Sequence, residues 1–170
     1  MAAAAATLAV LAACSTSSGR TPGPQFAWFD LVTADVSASA GFYEALFGWE
    51  VIPPSSSNDF GSIKLAGTEI AGVSQDAGSQ SNGATWVAVL AVSDADAAAR
   101  KATDLGGTLV RETETFDDGS VAAVVTDPQG ALLALYQDNG SGGRVPTNVE
   151  GSWVWTDLFT SDIGATRDFY

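Results

Sequence analysis

The sequence predicts an α+β fold built from two modules of the same order, βαβββ. Three features point to it. Strand-like alternation and helical spacing follow one another in the same order twice. Each helical stretch opens on an aspartate, and each closes on glycine. An offset of 59 residues also aligns Leu31/Leu90, Asp35/Asp94, Ala38/Ala97, Ala40/Ala99, Leu46/Leu105 and Gly48/Gly107. These matches are compositionally cheap, so the repeated order of elements carries the argument.

The first module opens with "FAWFDLVT" (26–33), which alternates as a strand does. Asp35 then starts a helix that runs to about Phe47, with Val36, Ala40, Tyr43 and Phe47 spaced for one buried face. Gly48 stops it. "WEVI" (49–52), "SIKLA" (62–66) and "EIAGVS" (69–74) are three short strands parted by Pro, Ser and Gly turns. After the loop "QDAGSQSNG" the order returns. "TWVAVLAV" (85–92) is a strand, Asp94 to about Leu105 a helix, and Gly106-Gly107 its stop. "TLVRE" (108–112), "SVAAVVT" (120–126) and "ALLALYQ" (131–137) are the closing strands. An aspartate before a helix accepts hydrogen bonds from its free N–H groups and complements its dipole, so Asp35 and Asp94 read as caps. Tyr43, Glu44, Asp117 and Asp118 read as solvated surface or as polar tips of the core.

Composition narrows the chemistry. Seven Lys and Arg against twenty Asp and Glu give a formal net charge of -13, which repels nucleic-acid phosphates and anionic headgroups. Histidine is absent from the sequence, which removes Ser-His-Asp and Cys-His catalysis and every histidine-ligated metal site. The single cysteine excludes an intramolecular disulfide and a zinc site of several thiolates. No phosphate-binding motif is present, because "GSGG" and "DLGG" lack the Walker and dinucleotide spacings.

The first fourteen residues, "MAAAAATLAVLAAC", form a small-residue apolar run too short to span a bilayer. Its end, Leu11-Ala12-Ala13-Cys14, resembles a bacterial lipobox. The resemblance implies cleavage before Cys14, lipidation of that thiol and an extracytoplasmic, membrane-anchored product. A misassigned start would instead leave a cytoplasmic protein. Residues 15–24 are then a polar tether.

At the other end, residues 153–170 restate residues 26–43 without a gap. Trp28/Trp155, Asp30/Asp157, Leu31/Leu158, Thr33/Thr160, Asp35/Asp162, Ala38/Ala165, Phe42/Phe169 and Tyr43/Tyr170 are identical. Residues 139–151 read as a linker, and 152–170 as the first strand and helix start of a second, incomplete domain. On that reading the segment after Asn139 adds little to the first domain's core. The alternative is a tail that docks on its own domain or on a partner.

The strand, the aspartate, the helix closing on "FYEALFGWE" and the later "TDPQGALLALYQ" together resemble the vicinal oxygen chelate superfamily. That superfamily includes glyoxalases, extradiol dioxygenases and bleomycin-resistance proteins. The resemblance covers residues 25–138 and is similar to the branch with two such domains in one chain. It implies paired βαβββ modules whose mixed sheet curls around a cleft, with the helices outside. It also implies a divalent metal on the cleft face, with ligands at positions that here fall on Trp28, Val87 and Ala134. Glu69 lies in the region of a fourth ligand. Trp, Val and Ala offer no metal donor, and a single glutamate cannot hold a divalent ion against water.

No metal and no cofactor is therefore expected, and the cleft becomes a candidate ligand site lined by Trp28, Asp30, Val87 and Ala134. Trp28 can stack on a planar or cationic ligand and Asp30 can pair with its charge. Trp86, one residue from Val87, is expected to point into the helix-packed layer. The function expected is metal-free binding of a small molecule, with sequestration of a toxic or antibiotic compound as the superfamily's precedent. The alternatives are a lyase, isomerase or hydroxylase-like enzyme with catalytic groups partly in a second domain, and a structural or dimerising domain plugged by Trp28. The partners expected are a small molecule and either a homodimer or a second domain of the same fold. Membrane contact is expected only through the lipid anchor.

Overall fold

A computed structural model describes residues 25–56, 59–75, 84–139, 149–154 and 156–170. The leader with Cys14, the tether 15–24, the loop 76–83, most of the 139–151 linker and Trp155 lie outside the described residues.

The first module is β1 (Gln25–Thr33), α1 (Val36–Phe47), β2 (Glu50–Ile52), β3 (Phe60–Leu65) and β4 (Thr68–Gln75). The second is β5 (Thr85–Ala91), α2 (Ala95–Asp104), β6 (Thr108–Thr115), β7 (Val121–Thr126) and β8 (Leu132–Gln137). Their strands make one curled, open sheet in the order β2-β3-β4-β1-β5-β8-β7-β6, which reads the same from either edge once the modules are exchanged. The pairs β1–β4 and β5–β8 are parallel, and all the others antiparallel. The α+β class and the paired modules are those the sequence predicts.

Both aspartates are caps. Asp35 accepts from Ala38 N–H at 2.9 Å and Asp94 from Ala97 N–H at 2.8 Å. Each module also pins its helix start from the end of its last strand. Gln75 donates to Ala34 O at 2.9 Å, and Gln137 accepts from Ala95 N–H at 3.1 Å. At the far end of α1, Gly48 takes φ 69°, a left-handed turn that a side chain would resist.

The first core cluster holds Leu31, Trp49, Ile63, Ile70, Ala71 and Val73 under α1, with Phe29, Tyr43, Trp86 and Trp153 against it. Trp86 does point into this layer, where its indole N–H donates to Tyr43 Oη at 2.8 Å. Of the two readings of Tyr43, the polar tip of the core holds and solvated surface does not. The expected buried face of α1 is only partly buried: Val36 is enclosed, but Phe47 is 45% exposed. The three-residue β2 is too short to cover the last turn of the helix, and Phe47 instead leans on Trp49 with ring centroids 5.0 Å apart.

The C-terminal segment departs from the expectation that it adds little to the core. Trp153 stacks on Phe29 at 4.2 Å and meets Trp86 at 4.8 Å. A bulge explains how it anchors. Lys64 pairs with Glu69 and Ile63 with Ala71, so Ile70 is skipped by the ladder, and its carbonyl accepts from the Trp153 indole at 2.9 Å. Trp49 in turn donates to Gly151 O at 2.8 Å.

The described residues of 152–162 form no strand, but α3 (Ile163–Phe169) repeats the start of α1. Asp162 caps Ala165 N–H at 3.0 Å, and the Thr160–Thr166 hydroxyl pair matches Thr33–Ser39. Gln129, in the β7–β8 turn, holds this start by donating to Thr166 Oγ1 and accepting from Ser161 N–H.

Replacing Trp153 by Ala should therefore cost roughly 3 kcal/mol, within the range for deleting a large core aromatic. Replacing it by Phe, which keeps the stack and loses the bond to Ile70, should cost about 1 kcal/mol. Urea denaturation of the full chain checks both values, and a tail that contributes nothing would leave both midpoints unchanged.

Candidate functional site

Strand alternation sorts the sheet into two faces. On β1 the odd residues Phe29 and Leu31 join the helix-covered core, while Trp28 and Val32 join a second cluster with Val87, Val89 and Ala134. Val124, Leu132 and Tyr136 pack against this cluster. It lies on the side of the sheet away from the helices. In the ladder Trp28 stands opposite Val89 and Asp30 opposite Val87, and Val89 neighbours Ala134. The four residues singled out from the sequence are therefore brought together on one face.

The cluster beside Asp30 is apolar, while Ser62, Ser74 and Arg111 share the same face farther out along the sheet. The Asp30 carboxylate accepts from Trp28 Nε1 at 3.1 Å and from the Gly72 backbone N–H. Burial pushes its pKa up from 3.8 to about 6, and these two hydrogen bonds hold it back from rising further. Gly72 makes the arrangement sterically feasible. It stands opposite Asp30 across the β1–β4 ladder, and a Cβ there would overlap the Asp30 carboxylate and crowd the Trp28 indole. Reading the sequence did not single out Gly72. A glycine inside the strand pattern "EIAGVS" was the available signal, since it marks close approach.

The implied metal site does not fit. Trp28, Val87 and Ala134 occupy the implied positions and carry no donor atom suited to a divalent ion. Glu69 is engaged by Lys64 at 3.9 Å and its side chain is 55% exposed. Among the described residues, no group of three or more His, Cys, Asp and Glu side chains converges.

A family model described as a glyoxalase-like domain matches residues 27–136. The chain belongs to this family. Among curated proteins it is similar to the anthracycline biosynthesis protein DnrV of Streptomyces peucetius, 33% identical over 159 residues, covering 85% of this chain and 58% of that protein. It is also similar to CFP32 of Mycobacterium bovis, 30% identical over 148 residues, covering 84% and 57%. The chain thus spans just over half the length of these relatives.

Two solved structures share the fold. The hypothetical protein BH1468 from Bacillus halodurans gives a TM-score of 0.51 at 8% identity, covering 72% of this chain and 100% of that one. A Streptomyces coelicolor methylmalonyl-CoA epimerase variant, solved with 2-nitronate-propionyl-CoA, gives 0.50 at 17%, covering 69% and 96%.

The raised pKa makes Asp30 a charge held at a cost. Between pH 4 and 6 the folded chain binds the proton that the unfolded chain has released, so stability falls as pH rises through this window and stays lower above it. Asp30→Asn keeps an acceptor for Trp28 and Gly72 and removes that cost. It should stabilise the protein by roughly 2–3 kcal/mol at pH 7 and leave it nearly unchanged at pH 4. Chemical denaturation at the two pH values reads the difference. Equal stabilities at pH 7 would mean that the carboxylate is not strained.

Proposed function

We propose that the chain is a metal-independent small-molecule-binding member of the glyoxalase-like family, and that its concave face takes a flat organic ligand carrying a positive charge. The observation that supports this is Asp30: an ionisable side chain buried beside an apolar cluster, fixed by the indole N–H next to it, and destabilising in the charged form. Such a group is retained for interaction rather than for stability. The Trp28 ring supplies a stacking surface, Val87, Val89 and Ala134 a dry floor, and Asp30 a counter-charge. The bond between Trp28 and Asp30 orients both before a ligand arrives, which lowers the entropy lost on binding.

The resemblance to a protein named for anthracycline biosynthesis narrows the ligand class. An anthracycline couples a flat fused-ring system to an amino sugar, which suits a stacking surface beside a carboxylate. The role that follows is capture of a toxic or antibiotic compound of this type.

A second reading is an isomerase or lyase in which Asp30 moves a proton. Its pKa of about 6 favours this, because a general acid–base works best when its pKa lies near the operating pH.

An anthracycline glycoside and its uncharged aglycone are suitable probes, followed by calorimetry. The glycoside should bind more tightly than the aglycone above pH 6, and the advantage should vanish below pH 5 as Asp30 protonates. Trp28→Ala should weaken both by about 1–2 kcal/mol, the size of a desolvated stacking or cation–π contact. Asp30→Asn should weaken the glycoside alone. Neither probe binding, or binding indifferent to both substitutions, would overturn the proposal. Turnover of a probe that is lost in Asp30→Asn would favour the enzyme.

A further inference from the structure

The helix α1 is apolar on two sides and covered on one. Val36 and Tyr43 belong to the first core cluster. Ala38, Gly41, Phe42, Ala45 and Leu46, spaced i, i+3, i+4, i+7 and i+8, make a second stripe, and all five are exposed. Phe42 is 58% exposed and Leu46 55%, although Phe42 also meets the ring of Tyr43 edge-on at 5.1 Å. Glu44 is the helix's one charged residue. A helix that is apolar nearly all round belongs in an interior.

Gly41 sharpens the point. Glycine inside a helix weakens it, and Gly41 is not among the glycines with positive φ. A Cβ at this position would meet no neighbouring atom within 4 Å. Neither the backbone nor the packing of the chain on itself calls for a glycine here. The repeats agree. In α2 the residues that match Gly41, Phe42 and Ala45 are Arg100, Lys101 and Asp104, all exposed, and in α3 Asp168 matches Gly41. The same place in the fold is charged and solvated in one module, apolar and bare in the other.

The helix α3 shows what covers such a face. It carries Ala165 and Phe169 where α1 has Ala38 and Phe42, and here both are half-buried. Phe169 packs against the cluster that holds Ala99, Ala102 and Val125. A Cβ on Gly107 would stand 3.0 Å from its ring, so the phenylalanine lies where a glycine leaves room. Ile163, at the position of the buried Val36, is 77% exposed instead. The matching face is thus buried by a surface of this same fold, phenylalanine over glycine.

We propose that the outer face of α1 is the surface on which two copies of this chain pair, helix against helix across a two-fold axis, with each Phe42 laid over Gly41 of the other copy. An antiparallel crossing between positions 41 and 42 sets Ala38 opposite Ala45 and Gly41 opposite Phe42. The face is then complementary to itself, as an isologous contact requires. Its small residues let the two axes approach closely. Among the described helices, α2 and α3 expose charges, Arg100 and Lys101 on one and Arg167 and Asp168 on the other, so the face that fits α1 is α1. Charge selects the same surface. Two copies at -13 each repel, and α1 brings only Glu44 to the contact. Because α1 covers the side of the sheet away from Trp28 and Asp30, the pairing does not depend on the ligand reading.

Sedimentation equilibrium of the full chain over a range of concentrations tests this. A dimer is expected, and it should tighten as salt rises, because salt screens the like charges and leaves the apolar contact intact. Gly41→Leu is the sharpest variant, since the single chain has open space for the new side chain and the crossing has none. It should raise the dimer dissociation constant by about tenfold or more with the helix content unchanged. Phe42→Asp should do the same, and Arg100→Leu, the matching position on α2, should leave the dimer as it was. If Phe42→Asp fails to fold, Gly41→Leu and Ala45→Arg, both at exposed positions, carry the test. A chain that stays monomeric at every concentration and salt overturns the proposal. So does a dimer indifferent to the α1 variants, which is what association through the apolar leader or another face would give. Association that continues past two copies overturns it as well, since a two-fold contact closes.

Discussion

Where β1 runs antiparallel to β5, from Gln25 opposite Ala91 to Val32 opposite Thr85, two half-sheets become one. Neither half can close a core alone, because each presents a strand edge and an uncovered apolar face at that line. Joining them fixes the alternation of side chains on both sides. Phe29, Leu31, Trp86, Ala88 and Leu90 go to the helices, and Trp28, Val32, Val87 and Val89 go to the concave face. A slip of one residue in this ladder would exchange the two sets, driving an aspartate into the aromatic core and exposing Leu31. The aromatic layer under α1 resists such a slip, since Trp86 and Trp153 are each held there by both ring packing and an indole hydrogen bond.

The concave face has a different energetic character. Its buried centre is Val87, Val89 and Ala134, and the carboxylate beside them is held in a state that burial disfavours. Only the Trp28 indole, the Gly72 amide and the space left by the missing Gly72 side chain make that state tolerable. A core optimised for stability would place Asn or an apolar residue at position 30.

Much of the fold was legible in the sequence because local physics sets it. Asp35, Asp94 and Asp162 announce helix starts whose caps form in all three places. Period-two alternation placed Trp28 and Asp30 on one face and Trp86 on the other. What could not be read depended on contacts between distant segments. Gly72 acquires its role only once β4 lies beside β1. The place of Trp153 depends on a bulge that skips Ile70, and the bulge shows only in the β3–β4 register. The exposure of Phe47 follows from the shortness of β2. The repeat at the C-terminus foretold the cap of α3 but not that the preceding residues would leave strand geometry and wedge into the first module.

The concave face depends on Asp30 being held in the strained state its surroundings imply. An NMR titration of the Asp30 side-chain carboxyl carbon in the full-length chain measures this directly. The expected midpoint is about 6, moved by burial from the ordinary 3.8. A midpoint near 4 would mean that water reaches the carboxylate freely, and the concave face would lose its claim to be a site.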